Sequence, residues 1–227
     1  MTSVARVLRG RLAGAALVLL SACAGGPPPP DWQADAKAAL DAAVAAHLKG
    51  DGRVAAQELA RARSQIASTG RPELMARAEL MHCAAQVASL AFEPCIGFER
   101  LRRDAAAAEL AYANHLAARV LSREDIERLP PAQRTAAAAV AGGSASFGAV
   151  QDIDDPLSRL VTVAVLFQAG QASPQMIALA ADTASAQGWR RPLLAWLKLQ
   201  ALHAQRAGDA AEAERLARRI ELVQSGH

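Results

Sequence analysis

Large rings are scarce in this chain: its 227 residues include three Trp, one Tyr and four Phe, 4% in all. Strands draw on aromatic and β-branched side chains, and no segment sustains an alternation of apolar and polar positions, so a sandwich or barrel is excluded. The apolar run Leu12–Leu20 is too short for a transmembrane helix, which needs about 20 such residues. Signatures of catalysis and cofactor binding are missing too. His47, His82, His115 and His203 never pair at the spacing of four that sets two ligands on one helix face. Ser144 and Ser146 lie in a glycine-rich stretch with neither a phosphate-binding lysine nor a nucleophile elbow. The sequence therefore predicts no enzyme, no cofactor and no metal centre. What it has instead is alanine, its commonest residue and the best helix former, and the expected class is all-α.

The periodicity agrees. Trp32, Ala36, Leu40, Ala43, Val44 and Leu48 recur at spacings of three and four, which puts them on one stripe of a first helix. Gly50-Asp51-Gly52 stops it. Ala55, Leu59, Ala62 and Ile66 line a second helix ending at Thr69-Gly70, and the short connection makes the two antiparallel. Further patterns predict helices over 73–91, 99–120, 123–129 and 131–140, followed by a break at 142–148. Asp155-Pro156 and Ser173-Pro174 each join an N-cap acceptor to a proline at the first helical position. The helices they open run to Gln168 and Gly188; two more cover 191–207 and, capped by Asp209, the stretch to Val223. About nine helices with short loops suit a bundle or a solenoid.

The first 23 residues have another character. Arg6, Arg9 and Arg11 are the only charges before Cys23; they precede the apolar run, and Leu20-Ser21-Ala22 leads into the cysteine. A basic start, a short apolar stretch and small residues before a cut mark an export signal, and the ending in Leu20-Ser21-Ala22-Cys23 resembles the lipobox of bacterial lipoproteins. That resemblance implies a diacylglyceryl group on the Cys23 sulfur, cleavage after residue 22, and acylation of the new amino group. Several acyl chains hold a protein on a membrane far more firmly than one. Ala24 stands after the cysteine where an aspartate would retain the protein at the inner membrane, so the resemblance implies the outer membrane, with the domain facing the periplasm. Residues 23–30 then read as a proline-rich tether and 31–227 as a single domain.

Loss of residues 1–22 removes three arginines and no acid. Lys+Arg falls from 25 to 22 against 22 Asp+Glu, so the mature chain is formally neutral and lacks the cationic surplus that nucleic-acid binding draws on. The clusters Arg100-Leu101-Arg102-Arg103 and Arg218-Arg219 have acids nearby and read as mixed-charge helix faces. In an oxidising compartment the remaining cysteines, Cys83 and Cys95, are expected to pair, because Pro94 permits a sharp return alongside the helix that carries Cys83. A loop that short would contribute about 3 kcal/mol. A metal site from His82, Cys83 and Cys95 is disfavoured, since neighbours in a helix point about 100° apart; a Cys83 nucleophile beside His82 has the same flaw. Asp152, Asp154 and Asp155 could hold a cation, but Pro156 favours capping.

Leu48-Lys49-Gly50-Asp51-Gly52-Arg53-Val54-Ala55 and Arg206-Ala207-Gly208-Asp209-Ala210-Ala211-Glu212-Ala213 share Gly-Asp at the turn and alanine five residues after each glycine. Both resemble the inter-helix turn of tetratricopeptide repeats, in which glycine ends one helix and a small residue lets the next pack against it. The expected architecture is therefore antiparallel hairpins stacked as a short tetratricopeptide-like solenoid, or an irregular helical bundle. Such a domain fits a non-catalytic scaffold that holds another envelope protein or peptide. The alternative is a peptidoglycan-directed enzyme or its accessory factor, with Glu93, Glu99, Glu109 or Glu124 as general acid. One loop, Gly188-Trp189-Arg190-Arg191-Pro192, gathers residue types common at binding hot spots. It marks Trp189, Arg190 and Arg191 as a partner contact, or else Trp189 staples over Leu193 and the arginines are solvated.

Overall fold

The computed structural model describes residues 30–226. The export signal and the lipidation site expected at Cys23 lie outside them. Regular structure among the described residues is entirely helical: α1 (Asp31–Lys49), α2 (Gly52–Ala67), α3 (Pro72–Ala88), α4 (Ile96–Glu99), α5 (Ala107–Leu116), α6 (Arg123–Arg128), α7 (Pro131–Val140), α8 (Phe147–Gln151), α9 (Pro156–Gln168), α10 (Pro174–Ala186), α11 (Arg190–Ala207) and α12 (Ala210–Ser225).

Helix starts follow the local chemistry. Asp155 accepts from the Ser158 N–H at 2.7 Å and Ser173 from the Met176 N–H at 3.3 Å, each just ahead of its proline. Asp209 caps α12 through the Glu212 N–H at 3.0 Å. These bonds satisfy N–H groups that the first turn of a helix leaves without partners. Two expectations fail. The helix expected over 99–120 is broken into α4, a run of turns and α5. Phe98 in α4 is wholly buried, and the Arg102 guanidinium, held by Glu99, sits 5.1 Å from its ring centroid; this anchoring overrides the helical preference of Ala105 and Ala106. Within the expected break at 142–148, Ser146 accepts from the Ala149 N–H and opens the short α8.

The core centres on α9. Leu160, Val161, Thr162, Val163, Ala164, Val165 and Leu166 are all buried, so the helix is enclosed on every side rather than presenting a single stripe. Its neighbours include α3, α7 and α10. α3 also touches α1, α2 and α5, while α11 lies between α10 and α12 and reaches α1. The pairs α3–α9 and α1–α11 join elements far apart in sequence. Solenoid repeats touch only their neighbours, so the packing is that of an irregular bundle built from helical hairpins.

The two Gly-Asp turns share one backbone pattern. Gly50 N–H donates to the His47 carbonyl and Asp51 N–H to Ala46; Gly208 and Asp209 donate to Gln205 and Ala204 in the same way. Both glycines have positive φ, +96° and +74°, which a side chain disfavours. The pattern is not confined to these turns: Gly170 and Gln171 donate to Phe167 and Leu166, and Gly188 and Trp189 to Ser185 and Ala184, with glutamine and tryptophan in the aspartate's place.

Cys83 and Cys95 form a disulfide with Cα atoms 5.9 Å apart, tying α3 to the start of α4. Beside it Gly97 is pressed onto Glu79, whose two carboxylate oxygens accept from Arg63 Nε and Nη2 at 2.6 and 2.7 Å. A Cβ on Gly97 would lie 1.9 Å from Glu79 Oε2, and the carboxylate cannot retreat without breaking that bidentate pair. Gly97→Ala is expected to destabilise the fold by about 1–3 kcal/mol, read as a lower urea midpoint. Gly148→Ala, where nothing lies within 4 Å of the added Cβ, should leave the midpoint nearly unchanged.

Candidate functional site

Most residues singled out by sequence have structural partners. With Cys83 and Cys95 bonded to each other, neither sulfur is free to hold a metal with His82, and the described residues contain no group of three or more His, Cys, Asp or Glu able to do so. Asp155 is the α9 cap. Glu99 pairs with Arg102, Glu109 with Arg77, and Glu124 with Arg128.

The loop bearing Trp189, Arg190 and Arg191 is an internal joint. Trp189 is half-buried against the cluster of Val44, Leu48 and Ala85. Arg191 Nε donates to the His47 carbonyl at 2.8 Å, and its Nη2 reaches the Gly50 carbonyl at 3.5 Å. A guanidinium there meets carbonyls that the end of α1 leaves without helical partners, at the negative pole of that helix. The Arg190 guanidinium also lies against Gly50. The solvated arginines expected beside a stapling Trp189 are thus corrected: Arg191 fastens α11 to the α1–α2 turn, and Arg190 packs beside it. Under this joint the rings of His47 and His82 meet edge to face, with centroids 5.4 Å apart. His47 Nε2 and His82 Nδ1 are buried without hydrogen-bond partners among the described residues. Burial, then the charges of Arg191 and His82, push the His47 pKa down to about 4. Burial also lowers that of His82, with Glu79 opposing and Arg63 and Arg191 adding to the shift.

A different place has the form of a binding site. Between α3, α5 and the α6–α7 connection lies a groove of about 430 Å³ lined by Arg77, Leu80, Met81, Ala108, Glu109, Tyr112, Arg128, Leu129 and Pro130. Leu80, Glu109 and Leu129 are its buried members, whereas Met81 is exposed. Arg77 donates from Nε and Nη2 to one oxygen, Glu109 Oε1, at 2.9 and 2.7 Å. Glu109 Oε2 is buried and has no hydrogen-bond partner among the described residues. The lone Tyr112 has its hydroxyl pKa pushed up to about 12, by burial and then by the charge of Asp155, and so stays a neutral donor. Arg128 is held by Glu124 and, at 2.8 Å, by Asp125. Of the lining residues the sequence singled out only Glu109. The others come from three stretches with no shared pattern, and no local signal marks their meeting.

Compared with protein-family models, with curated proteins and with solved structures, the chain matches none.

Two outcomes are expected from the joint. Arg191→Ser removes a charge-assisted bond to a helix terminus and should cost about 1–2 kcal/mol, seen as a lower melting temperature with helicity retained at 20 °C, roughly room temperature. The histidines give a pH dependence of defined sign. Their folded pKa values lie below the unfolded value of 6.5, so the unfolded chain binds more protons as pH falls, and stability present above 6.5 is lost toward pH 4. Each group contributes a slope of at most about 1.4 kcal/mol per pH unit. Urea midpoints measured from pH 7 to 5 should fall, and His47→Asn should flatten that fall.

Proposed function

We propose that this chain is a lipoprotein of the bacterial cell envelope, anchored in the outer membrane through acylated Cys23, whose helical domain holds another envelope protein or peptide without catalysing a reaction. The observation that carries the reading is the groove at α3, α5 and the α6–α7 connection. Its walls are largely apolar, and its rim carries Tyr112, Arg77 and Arg128, types enriched where a few residues dominate binding energy. The tetratricopeptide-like turns at Gly50-Asp51 and Gly208-Asp209 support the scaffold reading. So does the pairing of Glu99, Glu109 and Glu124 with arginines, since a general acid must keep and then release a proton.

A photo-crosslinking amino acid at Met81, exposed on the groove, should yield a discrete adduct in intact cells. The same group at Leu222, on α12 and 73% exposed, should yield none. Cys23→Ser should leave the outer-membrane fraction and lose the Met81 adduct. Recovery of that variant in the membrane at the level of the unchanged protein removes the anchor; identical adducts from both positions remove the groove.

A further inference from the structure

The Cys83–Cys95 disulfide is not sealed inside the protein. Both cysteines line a cavity of about 190 Å³ between α3, the loop that follows it and the end of α5. Phe92, Glu93, Pro94 and Arg119 of the same lining are exposed, so the cavity opens to solvent. The two cysteines differ within it: Cys83 is 7% exposed, whereas Cys95 is only half-buried. The lining charges balance, Arg102 and Arg119 against Glu93 and Glu99, so an anion entering meets no net repulsion. The surroundings of the bond are held by other contacts as well. On the α4 side Phe98 is wholly buried and Gly97 is pressed onto Glu79; on the α3 side the Ala88 carbonyl accepts from Trp196 Nε1 at 3.1 Å. Both ends of the loop that the disulfide closes are therefore fixed without it. Cys95 Sγ lies 3.8 Å from the Glu79 carbonyl, an acceptor for the thiol that reduction leaves.

We infer that Cys83 and Cys95 form a reversible thiol-exchange site, in which a thiolate entering this cavity attacks Cys95 Sγ while the domain stays folded. The occupant follows from the chemistry of the wall, because a thiolate is the nucleophile that opens a disulfide. A bond forms between the entering sulfur and Cys95. The Cys83–Cys95 bond breaks, and its electron pair leaves with Cys83 Sγ, which takes a proton from water. A second thiolate attacks the entering sulfur of this mixed disulfide and frees the Cys95 thiol. In sum, two thiols are oxidised to one disulfide and the protein disulfide is reduced to two thiols.

Reduced glutathione added to the full-length protein at about pH 8, where thiols begin to ionise, tests this directly. Freed thiols are trapped with N-ethylmaleimide, and peptide mapping keeps Cys23 apart. Glutathione should be found on Cys95 and the maleimide on Cys83, with helicity retained. The rate should stay flat from zero to about 1 M urea, whereas a reaction confined to the unfolded chain would rise about fivefold or more over that range. Arg119→Ser, remote from Cys95 in sequence and exposed, tips the lining negative and should slow glutathione about threefold; the urea series needs no variant. Thioredoxin, a protein dithiol, makes the second arm. Reduction by it at a rate equally flat in urea assigns the site to protein thiols as well, and reduction by glutathione alone confines it to small ones. A rate that climbs with urea from the start, glutathione on Cys83 with Cys95 freed, or an unchanged rate in Arg119→Ser overturns the inference.

Discussion

The indole of Trp196 is the contact on which the bundle depends. Its Nε1–H donates at 3.1 Å to the carbonyl of Ala88, the last residue of α3, across 108 residues of chain. The side chain is fully buried on α11, Phe167 of α9 meets it edge-on at 6.3 Å, and Phe92 stacks on Phe167. Helices faced with alanine approach closely, but such small side chains do little to fix the angle or register at which they meet. A large ring does both, because it fits one cavity and has one donor to satisfy. Here it also supplies a partner for a carbonyl that the end of α3 would leave unsatisfied. The scarcity of aromatics in the sequence concentrates this task on three rings at the meeting of α3, α9 and α11.

α3 carries the other fixed points. Glu79 on one turn is locked by Arg63 of α2, and Arg77 reaches Glu109 of α5. A buried carboxylate is stable only when its charge is matched and its lone pairs are used, and the two sites differ in how completely that is done. Both oxygens of Glu79 are bonded, and Gly97 closes against them with no room for a methyl group. One oxygen of Glu109 is bonded, and beside it the groove remains. The same pairing of residue types thus yields a sealed structural joint in one place and an incomplete one in the other.

The fold class and most helix boundaries are legible in the sequence because their causes are local. Asp155-Pro156 and Ser173-Pro174 carry their caps within four residues, and the Gly-Asp turns are written in adjacent letters. The break between α4 and α5 is not, because it is imposed by the burial of Phe98 and the disulfide to α3, both tertiary events. Nor is the recurrence of the turn's backbone pattern at Gly170 and Gly188: Gln171 and Trp189 occupy the aspartate's place, so the letters differ where the backbone hydrogen bonds agree. For the same reason the residue types at Trp189–Arg191 read as a binding surface although Arg191 bonds the end of α1. Glu109 illustrates the limit for the site. One of 22 acids, it gains distinction only through Arg77, 32 residues away.

The α5 wall of the groove is tied into the core at His115, whose ring lies 6.1 Å from that of Tyr112. Gln133 of α7 is buried there; its Oε1 accepts from Thr162 Oγ1 of α9 at 3.2 Å and lies 3.0 Å from His115 Nε2, while its Nε2 donates to the Ser158 carbonyl at 3.1 Å. With Oε1 acting as acceptor, His115 carries its proton on Nε2, and burial keeps the ring neutral by lowering its pKa. A buried polar network with its members bonded specifies orientation where apolar contact alone does not, and this one fixes α5 and α7 against α9. Tyr112 and Glu109 project from α5 within two turns of His115, and α7 follows directly on Leu129 and Pro130. The α5 and α7 walls of the groove are therefore set by these hydrogen bonds as well as by the Arg77–Glu109 pair, so the shape of the cavity does not depend on a guest.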